Sequence, residues 1–409
     1  MIPKQPFGLF VLDYPVLIGD GEVRFGDRCY TETLNQTSTY VHHSLVVART
    51  RHQTKGAGFY TNLHDAGAEL ALPLPDYGIG GLRGIFRVLE ILSSSKIRSS
   101  LLKLIKQAEF IYVEGGTSPV SLLIARLAAK SGRRLILEMR GSTVLNREYM
   151  LQRFGLPGLV YILLQYAFSA YVRRQSVAGL YVNRELMEHF PVAGDLHSAI
   201  SDAYQPEDFG TSPRHFEKPV RRYLYVGHLE YVKRVDLILN ALGLARGNLP
   251  KGWHLDIVGS GPIEADLKNL TARLGLGANV TFHGPVKWGE TLFQFYHEAE
   301  LALMASTTES GPRTLFEAMA FGLPVISTSV GNAPELLDKS FLVPVGDLQT
   351  YARSLAEVVN NPEKLTAASK RNWRLAKEFQ QSNLEAQRRE FWRQAIKLSQ
   401  RDKLKSEMV

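Results

Sequence analysis

Apolar runs of strand length alternate with longer helical patterns from one end of this chain to the other, and no other feature limits its fold so strongly. Neighbouring parallel strands need a crossover between them, usually a helix packed back on the sheet, so the alternation predicts parallel sheets with helices on both faces. In the first half the strands are read at Gly8–Tyr14, Ser44–Ala48, Phe110–Glu114, Arg134–Met139 and Ala178–Val182, with a helix from Ser118 to Lys130 stopped by Ser131-Gly132. After Ala203 the chain turns irregular and polar, with Pro206, Pro213 and Pro219. A second series then starts afresh: strands Tyr223–Val226, His254–Val258, Val280–Phe282, Leu301–Met304 and Pro324–Ser327, with helices Val235–Ala245, Pro262–Leu274 and Pro312–Phe321. The expected class is α/β, two doubly wound domains in tandem, and 409 residues suffice for two cores. The boundaries are residues 1–205, a linker 206–222, a second domain 223–375 and a helical segment 376–409 that is expected to cross back to the first domain.

Charge narrows the partners. The balance of 48 Lys and Arg against 40 Asp and Glu leaves +8, which suits a phosphorylated small molecule, a membrane surface or nucleic acid. No RNP-like aromatic motif, zinc finger or dense basic tract is present, so nucleic acid is set aside. Cys29 is the only cysteine, and neither C-x-x-C nor H-E-x-x-H occurs, so a disulfide framework and a zinc site are not expected and a reducing, cytoplasmic setting is. An apolar fraction of 45% with 22% charged residues argues against disorder and against a multi-span membrane protein. The opening MIPKQPFGLFVLDYPV, cut by Asp13 and by prolines, reads as a first strand rather than a secretory segment.

The stretch ESGPRTLFEAMAFGLP, Glu309 to Pro324, carries the most chemistry. Pro312 at a first helical position and Gly322 past the last mark a short helix, with Ser310 or Gly311 as its cap. It follows directly on a strand, so its N–H groups and positive dipole end lie at the carboxyl edge of a parallel sheet, where a phosphate or sugar hydroxyl can be held. Glu309 precedes this helix and Glu317 lies within it, either as two carboxylates reaching one cleft or as a loop charge and a solvated helix residue. Val226-Gly227-His228-Leu229 ends another strand and Lys233 follows, placed to neutralise a diphosphate or simply to face solvent. At the next strand end, Gly259-Ser260-Gly261 permits close backbone approach or a tight turn.

Read together, these segments resemble glycosyltransferase family 4, the retaining nucleotide-sugar transferases of the GT-B fold. The ordered match runs through YLYVGHLEYVKRVD, LDIVGSGP, VTFHGPV and ESGPRTLFEAMAFGLPVISTSVGNAPEL. The resemblance implies two Rossmann-like domains facing across a cleft. It also implies transfer of a sugar, with retention, from a nucleotide diphosphate-sugar donor to a saccharide, lipid-linked or small-molecule acceptor bound mainly by the first domain. Donor contacts are then expected at Gly227, His228, Lys233, Gly259, Gly261, Gly284, Val286, Ser310, Gly311, Arg313, Thr314, Leu315 and Glu317. Glu309 would orient the donor sugar, Lys233 would neutralise the leaving diphosphate, and Glu317 would accept from the ribose diol. No cofactor is implied, and the absence of any D-x-D pair agrees with an expectation of no metal. Two departures stand out: His228 occupies a place where the family commonly has arginine, so one diphosphate cation is missing or pH-dependent, and Arg234 replaces a common glycine.

In the first half the resemblance rests on architecture. Gly19 and Gly21 fit either a turn beside the donor phosphates or an ordinary loop, and Arg140 fits either a phosphate or acceptor contact or a surface residue. Polysaccharide or glycolipid synthesis is the expected setting. Rival readings are an epimerase on the same scaffold and a non-catalytic nucleotide-sugar-binding protein; a nicotinamide dehydrogenase is distant, since no G-x-G-x-x-G opens a helix. Two segments suggest peripheral attachment to an anionic membrane, at the inner face of the plasma membrane, or else ordinary packing on the sheet. They are the basic amphipathic Arg83–Lys106 and the apolar Leu156–Val172, the latter read as a buried or interfacial helix.

Overall fold

The structure is a computed structural model and describes residues 5–19, 22–25, 33–34, 37–38, 40–52, 61–76, 88, 90–141, 147–201 and 212–408. The chain divides into two compact units, Met1–Asp202 with Glu385–Val409, and Ala203–Leu384.

The first unit is built on β1 (Phe7–Gly19), β2 (Glu22–Phe25), β3 (His43–His52), β4 (Thr61–Asn62), β5 (Ala68–Pro75), β6 (Phe110–Glu114), β7 (Leu135–Met139), β8 (Ser176–Tyr181) and β9 (Leu196–Ala199). Its parallel part runs β5-β3-β1-β6-β7-β8-β9. The inner strands FIYVE, LILEM and SVAGLY are buried at every position, because both faces of the sheet are covered. β5 escapes a sequence reading because Pro73 and Pro75 argue against a strand; among the described residues it pairs with β3 alone, at an edge where a missing N–H is tolerated. β1 runs beyond the expected Tyr14, and its last residues Leu17–Gly19 form an antiparallel pair with β2. Gly19 is thus the paired end of a hairpin strand, opposite Glu22, while Gly21 lies outside the described residues.

Three helices of this unit matter below: α1 (Ser95–Gln107), α2 (Pro119–Lys130) and α3 (Arg147–Arg174). Ser118 caps α2 by accepting from Ser121 N at 3.0 Å, with Pro119 in the first turn. α1 starts afresh behind its own cap, Ser94, so the segment Arg83–Lys106 is not one continuous helix; its residues 83–87 and 89 lie outside the described set. Its buried face, Leu101, Leu104 and Ile105, packs on the sheet.

The second unit contains β10 (Arg222–Val226), β11 (His254–Val258), β12 (Val280–Gly284), β13 (Leu301–Leu303), β14 (Val325–Thr328) and β15 (Leu342–Val343), ordered β12-β11-β10-β13-β14-β15 and all parallel. Alternation along β10 sends Tyr223 and Tyr225 to one core and Leu224 to the other. The helices used here are α4 (Val235–Ala245), α5 (Glu290–Glu298) and α6 (Arg313–Ala320). Residues 212–221, read as linker, are fastened to this unit: Arg214 donates to the carbonyls of Phe321, Ala299 and Tyr296, and Phe216 N donates to Thr366 Oγ1 at 3.0 Å. The last helix, α7 (Gln381–Glu407), returns to the first unit from Glu385 onward. There Trp392 sits 5.5 Å from the Tyr112 ring and 6.1 Å from that of Phe110.

Candidate active site

In the second sheet the strand order reverses between β10 and β13. Chains leaving these two strands turn in opposite directions and open a crevice at their carboxyl ends, the usual ligand site of such a sheet. The loop after β10 brings Lys233 to this point and the loop after β13 brings Glu309. Lys233 Nζ and Glu309 Oε1 are 2.5 Å apart, with side chains 28% and 11% exposed, so Lys233 is not a solvated surface lysine. Ser306 Oγ donates to the same Glu309 Oε1 at 2.6 Å. The two loops are also tied through their backbones, Thr307 N donating to Val232 O at 2.8 Å.

Several residues that position Glu309 carry no sequence signal of their own. Thr328 Oγ1, at the end of β14, donates to Ser306 O at 2.6 Å, and both residues are buried. Gly331 has φ 54°, and a Cβ there would meet Glu309 O at 3.0 Å, so a side chain at 331 would press on the carboxylate's own backbone.

At Gly259 and Gly261 the close backbone approach expected from the sequence is made by a neighbouring loop of the chain. A Cβ on Gly259 would lie 1.9 Å from Gly227 O, and one on Gly261 would lie 2.3 Å from Leu229 O. Gly227 N donates to Val258 O at 3.0 Å and Gly259 N to Gly284 O at 2.8 Å. Gly259 and Gly261 therefore let the loops after β10 and β11 touch, whatever else the surface they form binds.

Arg234 takes the left-handed conformation, φ 49° and ψ 42°, which explains why a glycine suits this position and why the turn at Tyr231–Lys233 can pass straight into α4. Its guanidinium is bonded to both oxygens of Asp236 at 3.0 to 3.2 Å, so its charge is already matched locally. His228 is exposed, and its carbonyl accepts from Tyr225 Oη at 3.0 Å.

α6 begins at Arg313 with Pro312, one residue later than read, as its cap, and the proline side chain makes no capping hydrogen bond. Ser310 and Gly311 lead into it and Thr314 is half-buried, whereas Arg313 is exposed. Leu315 is fully buried in the core, which leaves only its backbone for a ligand; Val286 packs partly against the same core. Glu317 is not a solvated helix residue: it is 8% exposed and its Oε2 accepts from Tyr296 Oη, on α5, at 2.6 Å. Tyr296 is stacked on Phe321 at 5.2 Å. Burial raises the Glu317 carboxyl above its usual range, against the hydrogen bonds from Tyr296 and Trp288 and the charge of Arg313.

That raised carboxyl gives a pH test. Between the ordinary glutamate value of 4.5 and the higher folded value, the folded state holds a proton that the unfolded chain has lost. Stability contributed at this site falls as pH rises through that window. Glu317→Gln is therefore expected to melt at a higher temperature than the parent at neutral pH, with the difference closing as pH falls through the glutamate range. A variant that melts lower at neutral pH would contradict the assignment.

Arg140 lies at the end of β7 in the first unit, with its Nε 3.3 Å from Glu138 Oε1 and 3.9 Å from Glu114 Oε1. Its side chain is 12% exposed and answers two buried carboxylates, so it is not a surface residue. Among the described residues no group of three or more His, Cys, Asp or Glu is arranged to hold a metal ion.

Residues 212–374 match the family model described as Glycosyl transferases group 1, and this stretch is a glycosyltransferase group 1 domain. An uncharacterized glycosyltransferase of Haemophilus influenzae is 33% identical over 144 residues, 34% of this chain and 40% of that protein. A D-inositol 3-phosphate glycosyltransferase of Streptomyces scabiei is 28% identical over 198 residues, 44% of each chain. The chain thus spans 40% to 44% of the length of these two curated relatives. The whole fold matches solved GT-B structures. Anabaena HepE in complex with UDP and glucose aligns with TM-score 0.59 and 17% identity over 94% of this chain and 98% of that one. Sucrose-phosphate synthase from Thermosynechococcus elongatus aligns with TM-score 0.61 and 15% identity over 97% and 100%.

Proposed function

We propose that the chain is a retaining glycosyltransferase of family 4 that moves a sugar from a nucleotide diphosphate donor to a saccharide, lipid-linked or small-molecule acceptor, in polysaccharide or glycolipid synthesis. The observation that carries this reading is the Lys233–Glu309 pair, 2.5 Å apart at the point where the strand order of the second sheet reverses. A cation and a carboxylate held together there are suited to a ligand with a negative diphosphate and a hydroxylated ring. The group 1 domain match supports the same reading, and the HepE complexes make a uridine nucleotide the first donor to try.

In this mechanism the bond from the anomeric carbon to the diphosphate oxygen breaks and a bond to the acceptor oxygen forms on the same face. The acceptor proton passes to the leaving phosphate. Lys233 and the N-terminus of α6 stabilise the charge that develops on the phosphates. Glu309, with Lys233 and Ser306 both bonded to Oε1, offers Oε2 to the donor sugar hydroxyls. Glu317 accepts from the ribose diol. No step calls for a metal, and activity is expected to survive a chelator.

The test is release of nucleoside diphosphate from a panel of nucleotide sugars, followed with and without candidate acceptors. Acceptor-dependent release with retained anomeric configuration is expected. Isomerised nucleotide sugar without release would establish the epimerase instead, and no turnover of any donor would leave a binding protein.

A further inference from the structure

Part of α3 is built inside out. The helix is broken at Gly155, which has φ 56° and ψ −137°, and from there to Arg174 it is long and apolar enough to cross a membrane. Gly158, Ile162, Ser169 and Val172 are the residues it buries, a single narrow stripe with two small members. Leu156, Leu159, Val160, Leu163, Leu164 and Tyr166 are instead 38% to 72% exposed. This part of the helix was read from sequence as buried or interfacial; the structure leaves its larger apolar side chains uncovered. Scattered exposed leucines need no explanation, but a continuous apolar face of this kind does.

The two helices on one side of it are charged with one sign, while the short helix Arg184–His189 at its other end exposes Glu188. α1 and α2 lie side by side, α2 also touches α3, and all three contribute to the same core. α1 exposes Lys96, Arg98, Lys103 and Lys106, α2 exposes Arg126 and Lys130, and neither contains an Asp or Glu. No charged residue falls between Gly155 and Val172, and Arg173-Arg174 follow; the nearest exposed acid before α1 is Glu90.

We infer that this helical layer docks on an anionic lipid surface, such as a cytoplasmic leaflet, with α3 lying in the headgroup plane and the basic side chains of α1 and α2 against the lipid charges. An in-plane position follows from the buried stripe: Val172 is part of the domain core and Ile162 is 7% exposed, so a crossing helix would have to leave that core. A second copy of the chain is a poorer occupant, since pairing through this face would oppose two layers of like charge. The inference does not depend on the catalytic reading, because its test measures lipid binding alone.

The intact protein is sedimented with vesicles of phosphatidylcholine alone and of phosphatidylcholine mixed with phosphatidylglycerol, and its mass in solution is followed by sedimentation velocity. At low salt it should partition at least about tenfold better onto the anionic vesicles, with each removed Lys or Arg lowering that by roughly fivefold. Lys96→Gln with Lys103→Gln and Lys106→Gln tests the charges. Leu159→Gln with Leu163→Gln and Leu164→Gln, at exposed positions, should lose about a hundredfold while melting as the parent does. Equal binding to both vesicle types, no binding to either, or a dimer abolished by the leucine changes would overturn the inference; the charge variant keeps the test sound should the leucine variant fail to fold.

Discussion

Lys233→Ala is expected to lower turnover by about a thousandfold, the scale of losing a main donor to transition-state charge. The two cationic side chains beside it are placed otherwise: Arg234 is bonded to both oxygens of Asp236, and His228 is exposed, its carbonyl accepting from Tyr225 Oη. Stability should change by no more than about 1 kcal/mol, because the pair is only partly buried. Glu309→Ala should behave differently although it breaks the same contact. It removes the counter-charge of Lys233, so nucleoside diphosphate should bind as well as before or more tightly while kcat falls by about a hundredfold or more. Lys233→Ala should weaken that binding, and the double variant should be far from additive. Steady-state kinetics and calorimetric titration with nucleoside diphosphate separate these effects. Equal losses of nucleotide affinity in the two single variants would sink the division of labour.

The second large effect lies in the first unit and concerns stability. Arg388, on α7, reaches Glu138 on β7 at 3.5 Å, and both side chains are 1% exposed. Burial pushes the Glu138 carboxyl up, but Arg140, Arg388 and the Tyr112 hydroxyl, which donates to it at 2.7 Å, outweigh burial and hold it below the usual range. Removing Arg388 leaves the buried Glu138 with Arg140 as its remaining cation beside the Tyr112 hydroxyl, so Arg388→Ala should cost about 1.5 to 3 kcal/mol in denaturant unfolding. Replacing both, as Glu138→Gln with Arg388→Met, should recover much of that, since an apolar side chain of similar size avoids the desolvation of two ions. The sign with pH is definite. A depressed carboxylate stabilises fully above the ordinary value of 4.5 and loses its contribution as pH falls through the folded value. In Arg388→Ala that acid loss should begin at higher pH. A cost below about 1 kcal/mol, or a double variant no better than the single, would show that the pair does not anchor the helix.

The two predictions rest on sequence information of different quality. Lys233 and Glu309 stand in strand-end motifs that are local: a short apolar run, a glycine, then a helix start. The chain's own periodicity places them at the carboxyl edge of a parallel sheet. Arg388 has no such context. It sits in a long helix with charges of both signs, and its partner is 250 residues away. Glu138 is embedded in an apolar strand, where a carboxylate is an anomaly that asks for a cation without saying which one.

The amino-acid order by itself determined the alternating α/β class, the inner strands, the helix at Ser118 to Lys130 with its stop at Ser131-Gly132, the start of α4 at Val235, and the residues that meet at the reversal of the second sheet. These follow from side-chain periodicity, turn residues and caps, all of which act within a few residues. The tertiary structure alone decided that Glu317 is buried under Tyr296, that Gly259 is required by the carbonyl of Gly227 and that Arg234 turns left-handed and spends its charge on Asp236. It also decided that α3 from Gly155 onward shows solvent its larger apolar side chains. A helix that is apolar all round contains no signal for which face will be covered; that is settled only by the neighbour it packs against, and here the neighbour accepts one stripe.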